Sequence, residues 1–337
     1  MMGMKIVVRV PNWIGDAVLS LPAIESLKQG FPDAEIWIAA KEWVKDLFSV
    51  NEGAAKVITL PPLKDARAFR SFSRELRERD FDLGILLTNS FSSALLFYLA
   101  RIPQRWGYGR DGRRILLTKS VIPKETPDSL HQLNYYLNLL SGLGLKTSSP
   151  EEMRRISPGE RDDARQLMVG RGVDLARPLI LFGPGASYGP AKRWPASSFA
   201  SLGNMLQTGK NAQIILIGSS DEDDLSRKIA AEMDQKPVSF VGKTTLRGLI
   251  SLISLADLFV TNDTGPMHLA NALRVPVVAI FGPTDPGRTG PFFQPARVLR
   301  KEVPCWPCLY RNCPYDHRCM TRITPEEVLE VCQEIMG

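Results

Sequence analysis

Three features are missing from this sequence, and each absence argues against a class of protein. Met4–Val10 is typical of a short strand rather than a secretory apolar core, and no small-residue cleavage site follows, so export is not expected. The apolar run 83–102 is broken by the Thr-Asn-Ser sequence at 88–90, which favours a strand end and a helix cap over a membrane span. The turn at 11–16 has no G-x-G-x-x-G, which argues against a dinucleotide oxidoreductase.

The composition is that of an ordinary soluble protein with a small excess of basic residues. Of the 337 residues, 44% are hydrophobic and 23% are charged, and this length favours two domains with separate cores. A total of 42 Lys and Arg against 36 Asp and Glu gives a net charge of +6, which suits a polyanionic substrate, an anionic membrane surface or nucleic acid. Because the basic residues are spread along the chain, nucleic acid is not expected as a partner.

Short apolar runs alternate with amphipathic runs along the whole chain, and the alternation restarts after a polar, proline-containing stretch at 146–158. This order predicts mostly parallel sheets covered by helices. We therefore predict an α/β fold of two Rossmann-like, doubly wound domains, at 1–155 and 156–337, with a ligand cleft between them. The last segment, 324–331, has a capping box and an early proline, and it predicts a terminal helix that packs across both domains.

The most informative stretch is 256–272, an apolar run that breaks on Asn-Asp-Thr-Gly and resumes with helical spacing. Asp263 or Thr264 can cap the helix, and Gly265 lets a ligand approach the backbone. The first-turn amides and the helix dipole then form an anion site. His268 lies about one helical turn after Thr264 and can face the same anion. A diphosphate is the expected ligand.

Three other turns after predicted strands carry candidate chemistry. Asp16 is either a helix cap or a general base acting on a hydroxyl. The small residues at 183–187, with Lys192 and Arg193, form either a flexible loop or a phosphate site. The acids at 221–223 have D-x-D spacing, but their place at a helix start favours capping, with one acid available to a ribose hydroxyl.

Two further segments leave alternatives open. Cys305, Cys308, Cys313 and Cys319 suggest a zinc knuckle, but the second pair is not C-x-x-C, so reduced thiols are favoured over a metal site or a disulfide. The arginine-rich loop 105–114 is either a solvated face or a platform for an acceptor phosphate or sugar.

Taken together, the turns resemble the bacterial lipopolysaccharide heptosyltransferases of glycosyltransferase family nine. The resemblance is carried by the order and spacing of Asn12–Asp16, Gly185–Ser187, Lys192–Pro195 and Asp263–Ala270, and it runs over nearly the full chain. It implies a GT-B fold of two Rossmann-like domains facing across a cleft. The first domain would bind the acceptor, and the second would bind the donor.

The resemblance also implies the reaction and the roles of the site residues. The reaction would transfer L-glycero-D-manno-heptose, with inversion, from ADP-heptose to the first heptose of the lipopolysaccharide inner core, heptosyl-Kdo2-lipid A. Asp16 would be the catalytic base. The implied donor-binding residues are Ser187, Lys192, Glu222, Asp263, Thr264, Gly265 and His268. The implied acceptor-binding residues are Asn12, Trp13, Arg113 and Arg114.

No metal or other cofactor is expected, because Lys192 and the helix dipole can neutralise the departing ADP. We expect a cytoplasmic protein with peripheral contact at the inner face of the inner membrane. The alternatives are a family-nine transferase that adds a different heptose or another sugar, and a nucleotide-sugar epimerase of the same architecture.

Overall fold

The computed structural model describes residues 3–48, 55–63, 65–123, 130–147 and 156–337. The chain divides into two compact units, Met1–Glu151 and Glu152–Gly337. The polar stretch 146–158, at which the sequence predicts the division into domains, includes residues 148–155, which lie outside the described residues.

Unit 1 is built on a six-stranded parallel sheet. Its strands are β1 (Lys5–Arg9), β2 (Glu35–Lys41), β3 (Lys56–Leu60), β4 (Leu83–Leu86), β5 (Gln104–Tyr108) and β6 (Lys119–Val121). Its helices are α1 (Ile14–Leu19), α2 (Leu21–Gly30), α3 (Ala66–Arg77), α4 (Phe91–Leu99) and α5 (Gln132–Gly142), with 3₁₀ helices at Glu42–Leu47 and Arg113–Leu116. The central strands β1 and β4 are almost wholly buried, as expected where helices cover both faces.

The apolar run 83–102 forms a strand followed by a helix, as predicted. Strand β4 ends at Leu86, and the side chain of Ser90 caps α4 by accepting from the Ser93 amide at 3.3 Å. None of the helices in the described ranges combines the length and apolar character that crossing a membrane requires.

Unit 2 repeats the architecture with a second six-stranded parallel sheet. Its strands are β7 (Leu179–Gly183), β8 (Gln213–Leu216), β9 (Val238–Ser239), β10 (Leu258–Asn262), β11 (Val277–Phe281) and β12 (Ala296–Arg300). Its helices are α6 (Pro158–Val169), α7 (Ala196–Lys210), α8 (Asp223–Glu232), α9 (Leu246–Ile253), α10 (Gly265–Ala272), α11 (Pro286–Thr289), α12 (Arg318–Thr321) and α13 (Pro325–Met336), with 3₁₀ helices at Pro190–Lys192 and Ser220–Glu222.

Both sheets have the doubly wound strand order that was predicted. Unit 1 has the order β3-β2-β1-β4-β5-β6, and unit 2 has the order β12-β11-β10-β7-β8-β9. In each unit the first three strands extend the sheet in one direction, and the last three strands extend it in the opposite direction. The direction therefore reverses between β1 and β4 in unit 1, and between β7 and β10 in unit 2. In open α/β sheets this reversal opens a crevice at the carboxyl ends of the strands.

The terminal helix α13 starts where the sequence predicts, with a capping box between Thr324 and Glu327. It packs against α7, β11 and β12 of its own unit, and its residues Val328 and Cys332 are fully buried in the unit 2 core. The crossing to the other domain that we expected of this helix stays a prediction.

Candidate functional site

The candidate donor site lies at the carboxyl edge of the unit 2 sheet, where β7 and β10 pair side by side. The turn after β7 leads to Lys192, and the turn after β10 carries Asp263 at the start of α10. Strand β11 pairs with β10 on its other side and ends just before Thr284. The strand order therefore brings three turns, distant in sequence, to one edge.

Lys192, Asp263 and Thr284 form a buried polar cluster at this edge. The Lys192 Nζ lies 2.5 Å from the Asp263 Oδ2, and the Thr284 hydroxyl donates to the same oxygen at 2.7 Å. All three residues are buried. Because a buried ammonium needs a countercharge, Asp263 holds Lys192 in place at the end of the sheet.

Asn262 joins the turns that follow β7 and β10. Its Nδ2 donates to the Pro184 carbonyl at 2.7 Å, and its Oδ1 accepts from the Trp194 amide at 3.0 Å. Asn262 is fully buried, as is Trp194, whose indole donates to the Ile323 carbonyl at 2.9 Å. These bonds fix both ends of the loop that contains Lys192.

The start of α10 has the form expected of an anion site. Thr264 is the N-cap residue, but its hydroxyl makes no capping bond and instead lies 3.3 Å from the Thr261 hydroxyl. Gly265, the first helical residue, is partly exposed. The Gly265 amide and the positive end of the helix dipole are therefore placed to interact with an anion. His268 is buried one turn further on, within α10.

Glu222 is placed against the turn that follows β7. Its carboxylate accepts from the Ser219 amide at 2.8 Å within a capping box, which confirms the capping interpretation of this acidic segment. A Cβ on Gly185 would lie 1.8 Å from the Glu222 Oε1, so only glycine leaves room for the carboxylate there. Ser187, two residues further along the turn, is exposed. The ribose contact of Glu222 stays a prediction.

Asp16 lies at the corresponding edge of the unit 1 sheet, in the first turn of α1 after β1. It is partly exposed. Burial raises the pKa of the Tyr136 hydroxyl in α5, and the Asp16 carboxylate raises that pKa further. Asp16 is therefore close enough to Tyr136 for their charges to interact.

The structure corrects one prediction for the acceptor. Arg113 is fully buried and donates to the carbonyl oxygens of Tyr108 and Thr88, so it holds a turn together rather than facing a ligand. Burial lowers the pKa of Arg113 to about 10. Arg114, Asn12 and Trp13 are exposed, and their acceptor roles stay predictions.

The thiols of Cys305, Cys308, Cys313 and Cys319 in the cysteine-rich segment are free, and so is the thiol of Cys332 in α13. The four loop cysteines line a cavity of about 370 Å³. Within the described ranges, no three His, Cys, Asp or Glu side chains are placed to hold a metal ion, and the preference for reduced thiols over a metal site stays a prediction. Burial raises the pKa of Cys319 to about 11.

The segment 303–317, called the brace loop below, contains the first three of these cysteines and bonds to the Lys192 turn. The His317 Nε2 donates to the Ala191 carbonyl at 2.7 Å, and the Ala191 amide donates to the Arg311 carbonyl at 3.0 Å. The Tyr188 hydroxyl donates to the Leu309 carbonyl at 2.5 Å. These bonds give the cysteine-rich segment a structural role at the candidate donor site.

Sequence reasoning missed two polar residues of this edge. Thr284 follows β11 in a Gly-Pro-Thr-Asp turn, which is the same kind of signal that identified the other turns. Asn262 marks the break in the apolar run in the sequence, but it ends β10 in the structure, and only its tertiary bonds reveal its role.

The chain is similar in sequence and in fold to known glycosyltransferases. The family model for glycosyltransferase family 9 (heptosyltransferase) matches residues 69–318. The chain is 31% identical to lipopolysaccharide heptosyltransferase 2 of Salmonella typhimurium, over 99% of each chain. The solved structure of E. coli ADP-heptose lps heptosyltransferase II superposes with a TM-score of 0.83 at 31% identity, covering 99% of this chain and 98% of that one.

A family 9 glycosyltransferase from Veillonella parvula superposes with a TM-score of 0.88 at 23% identity, covering 99% of this chain and 97% of that chain. This second structural likeness confirms the fold class. The fold of both units therefore agrees with what the sequence predicts.

Proposed function

The chain belongs to glycosyltransferase family 9, and on this premise we propose that it transfers L-glycero-D-manno-heptose from ADP-heptose to the first heptose of the lipopolysaccharide inner core. The acceptor would be heptosyl-Kdo2-lipid A, and the anomeric configuration would invert. Full-length relatives at 31% identity that are named heptosyltransferase 2 favour this acceptor over others within the family.

The observation that carries the proposal is the polar cluster at the strand reversal of unit 2. The Lys192 ammonium and the start of α10 follow neighbouring strands of the sheet. This arrangement supports binding of the ADP diphosphate, with Thr264 and Gly265 at the helix start and His268 behind them. Asp263 keeps Lys192 at this edge, and Ser187 and Glu222 lie on the adjoining turns.

We assign the base to Asp16 in unit 1. Its carboxylate would take the proton from the acceptor hydroxyl as the hydroxyl oxygen bonds to the anomeric carbon of heptose. The bond from that carbon to the diphosphate oxygen breaks, and ADP leaves with the electron pair. Attack on the face opposite the leaving group inverts the anomeric centre.

The leaving group gains negative charge as the bond breaks, and the cationic Lys192 with the α10 amides would stabilise it. The proposal therefore needs no metal ion. We also propose that the protein works at the cytoplasmic face of the inner membrane as a peripheral protein, where its net charge of +6 would favour an anionic lipid surface.

Asp16→Asn tests the proposal directly. Purified protein is given ADP-heptose with and without heptosyl-Kdo2-lipid A, and released ADP is measured. Acceptor-dependent release is expected in the wild type and a loss of about 10²- to 10⁴-fold in the variant, because general-base assistance contributes on this scale. ADP affinity should be unchanged, since Asp16 acts on the acceptor.

Two results would contradict the proposal. Undiminished turnover in Asp16→Asn would remove Asp16 from the role of base. Conversion of the donor sugar without release of ADP would instead favour a nucleotide-sugar epimerase.

Turnover that survives chelation by EDTA is expected, because the assigned groups are all protein groups.

A further inference from the structure

Two exposed tryptophans lie at the carboxyl edge of the unit 1 sheet. Trp13 is 55% exposed directly before α1, and Trp43 is 57% exposed in the 3₁₀ helix Glu42–Leu47 that follows β2. Each exposed indole offers an apolar face on which a ligand can pack. Because Asp16 belongs to the same α1 segment, this surface lies beside the proposed base.

Trp43 is exposed but firmly held. Its indole Nε1 donates to the Asn12 carbonyl at 2.7 Å, and the Asn12 side-chain oxygen accepts from the Arg9 Nη2 at 2.5 Å. Arg9 is only 5% exposed and also donates to backbone carbonyls of Val10 and Ala39. A ring fixed in this way loses little conformational freedom when a ligand covers it.

A second cation accompanies Arg9 on the same face of the sheet. Arg9 pairs with Ala39 in the register of β1 and β2, and Lys41 lies two residues beyond Ala39, so both cations share a face. The Lys41 Nζ donates to the Pro61 carbonyl at 3.0 Å and is partly exposed. Burial lowers the pKa of Lys41, and the nearby Arg9 charge lowers it further.

The positive charge at this edge is not neutralised by a bonded carboxylate in the part of the chain that the structure describes. The oxygens that accept from Arg9 and Lys41 are carbonyl and amide oxygens. The neighbouring Glu42 is already ion-paired with Lys45 at 2.6 Å. An anionic ligand would therefore be attracted here.

We propose that Trp43 and Lys41, together with Trp13, form a subsite that binds an acidic sugar of the acceptor beside the Asp16 segment. The inference rests on the proposed function, which requires an acceptor. The C–H face of a sugar ring would pack on the Trp43 indole, and its carboxylate or phosphate would pair with the Lys41 ammonium. Arg9 is a positioning residue that holds Trp43 through Asn12.

Acceptor kinetics test this subsite with matched controls. Trp43→Ala and Lys41→Met should each raise the acceptor KM about tenfold, the scale of one aromatic stack or one charge-assisted contact, and leave the donor KM within about twofold. Tyr98→Ala removes an exposed aromatic from the end of α4, and Lys56→Met removes a cation from the start of β3. Both controls should keep the wild-type acceptor KM.

Modified acceptors identify the anion. One acceptor has its phosphates removed, and another has its carboxyl groups reduced to alcohols. If Lys41 pairs with a phosphate, Lys41→Met and wild type should have equal KM values for the acceptor without phosphates and keep their tenfold difference for the acceptor with reduced carboxyl groups. If Lys41 pairs with a carboxylate, the two acceptors should give the opposite result. A persistent difference on both modified acceptors would overturn the charge-pairing role of Lys41.

Calorimetric titration with the delipidated acceptor oligosaccharide, in the presence of ADP, repeats the comparison without turnover. Wild-type acceptor affinity in both Trp43→Ala and Lys41→Met would overturn the subsite even if ADP release is normal. Absence of acceptor-dependent ADP release in the wild type, with acceptor binding that still depends on Trp43, would instead overturn the proposed function and support the subsite. Thermal unfolding of each variant verifies that it is folded.

Discussion

At the scale of single residues, the pairing of Lys192 with Asp263 determines the chemistry that unit 2 can offer. The Lys192 ammonium lies 2.5 Å from the Asp263 carboxylate, and because both side chains are buried, each offsets part of the other's loss of water. Thr284 supplies a further hydrogen bond to the same carboxylate oxygen. The pair thus keeps a cation at the sheet edge where the donor diphosphate is proposed to bind.

Asp263→Asn should lower the free energy of unfolding of unit 2 by about 3 kcal/mol, because the Lys192 charge would remain buried without a countercharge. Thr284→Val should lower it by about 1.5 kcal/mol through loss of one hydrogen bond to a charged group. Urea denaturation followed by the fluorescence of Trp194 and the other tryptophans measures both changes.

A double variant serves as the control for this interpretation. Asp263→Asn combined with Lys192→Met removes the unpaired charge, so it should be more stable than Asp263→Asn alone. If the double variant is no more stable than the single variant, the loss in Asp263→Asn has another origin.

At the scale of elements, the brace loop connects the cysteine-rich segment to the Lys192 turn. It meets that turn through backbone carbonyls and a single imidazole, and the Trp306 indole also donates to the Thr284 carbonyl at 3.1 Å. The loop therefore contacts two of the three turns that form the candidate donor site. Its bonds to Tyr188 and Ala191 help to hold the turn that contains Lys192.

His317→Ala should raise the donor KM about three- to tenfold and leave the acceptor KM unchanged, because one hydrogen bond that orients the Lys192 turn is lost. Steady-state ADP release at varied donor and acceptor concentrations separates the two KM values. Tyr315→Ala, an exposed aromatic change in the same loop, is the matched control. Equal effects of the two variants would argue against a specific role for His317.

At the scale of the whole molecule, each unit has a core of its own, and unit 2 extends its core to the terminal helix. Cys332 in α13 is fully buried there. Burial raises the pKa of this thiol from its ordinary value of 9.0 to about 12. The folded protein thus holds the thiol proton more tightly than the unfolded chain does.

This pKa difference predicts a loss of stability at alkaline pH. Below pH 9 the thiol is protonated in both states, so its full contribution is present. Between pH 9 and pH 12 the unfolded chain releases the proton and the folded protein keeps it, so the free energy of unfolding falls with a slope of up to about 1.4 kcal/mol per pH unit.

Chemical denaturation of wild type and Cys332→Ala under reducing conditions, from pH 8 to pH 10, measures this contribution. The variant should be less stable at pH 8 because it leaves a small cavity in the core. Its stability should then fall less steeply with pH than that of the wild type. Parallel pH profiles would show that Cys332 does not titrate on unfolding.

The type and order of the elements follow from local patterns in the sequence. Alternating apolar and amphipathic runs specified parallel β/α units because buried strands and half-buried helices need different apolar periods. Glycine, proline and capping residues marked the turns, including Gly265 and the Thr324 capping box, because these signals act within a few residues.

Which turns share an edge and which side chains are buried depend on tertiary contacts. Strand order placed Thr284 beside Lys192 and Asp263, although no local signal joins positions so far apart in the chain. Arg113, which was expected to contact the acceptor, is buried in the structure. Trp43 is exposed and bonded to the Asn12 carbonyl. Local patterns determine periodicity and capping, whereas pairing and burial depend on distant segments whose contacts form only when the chain folds.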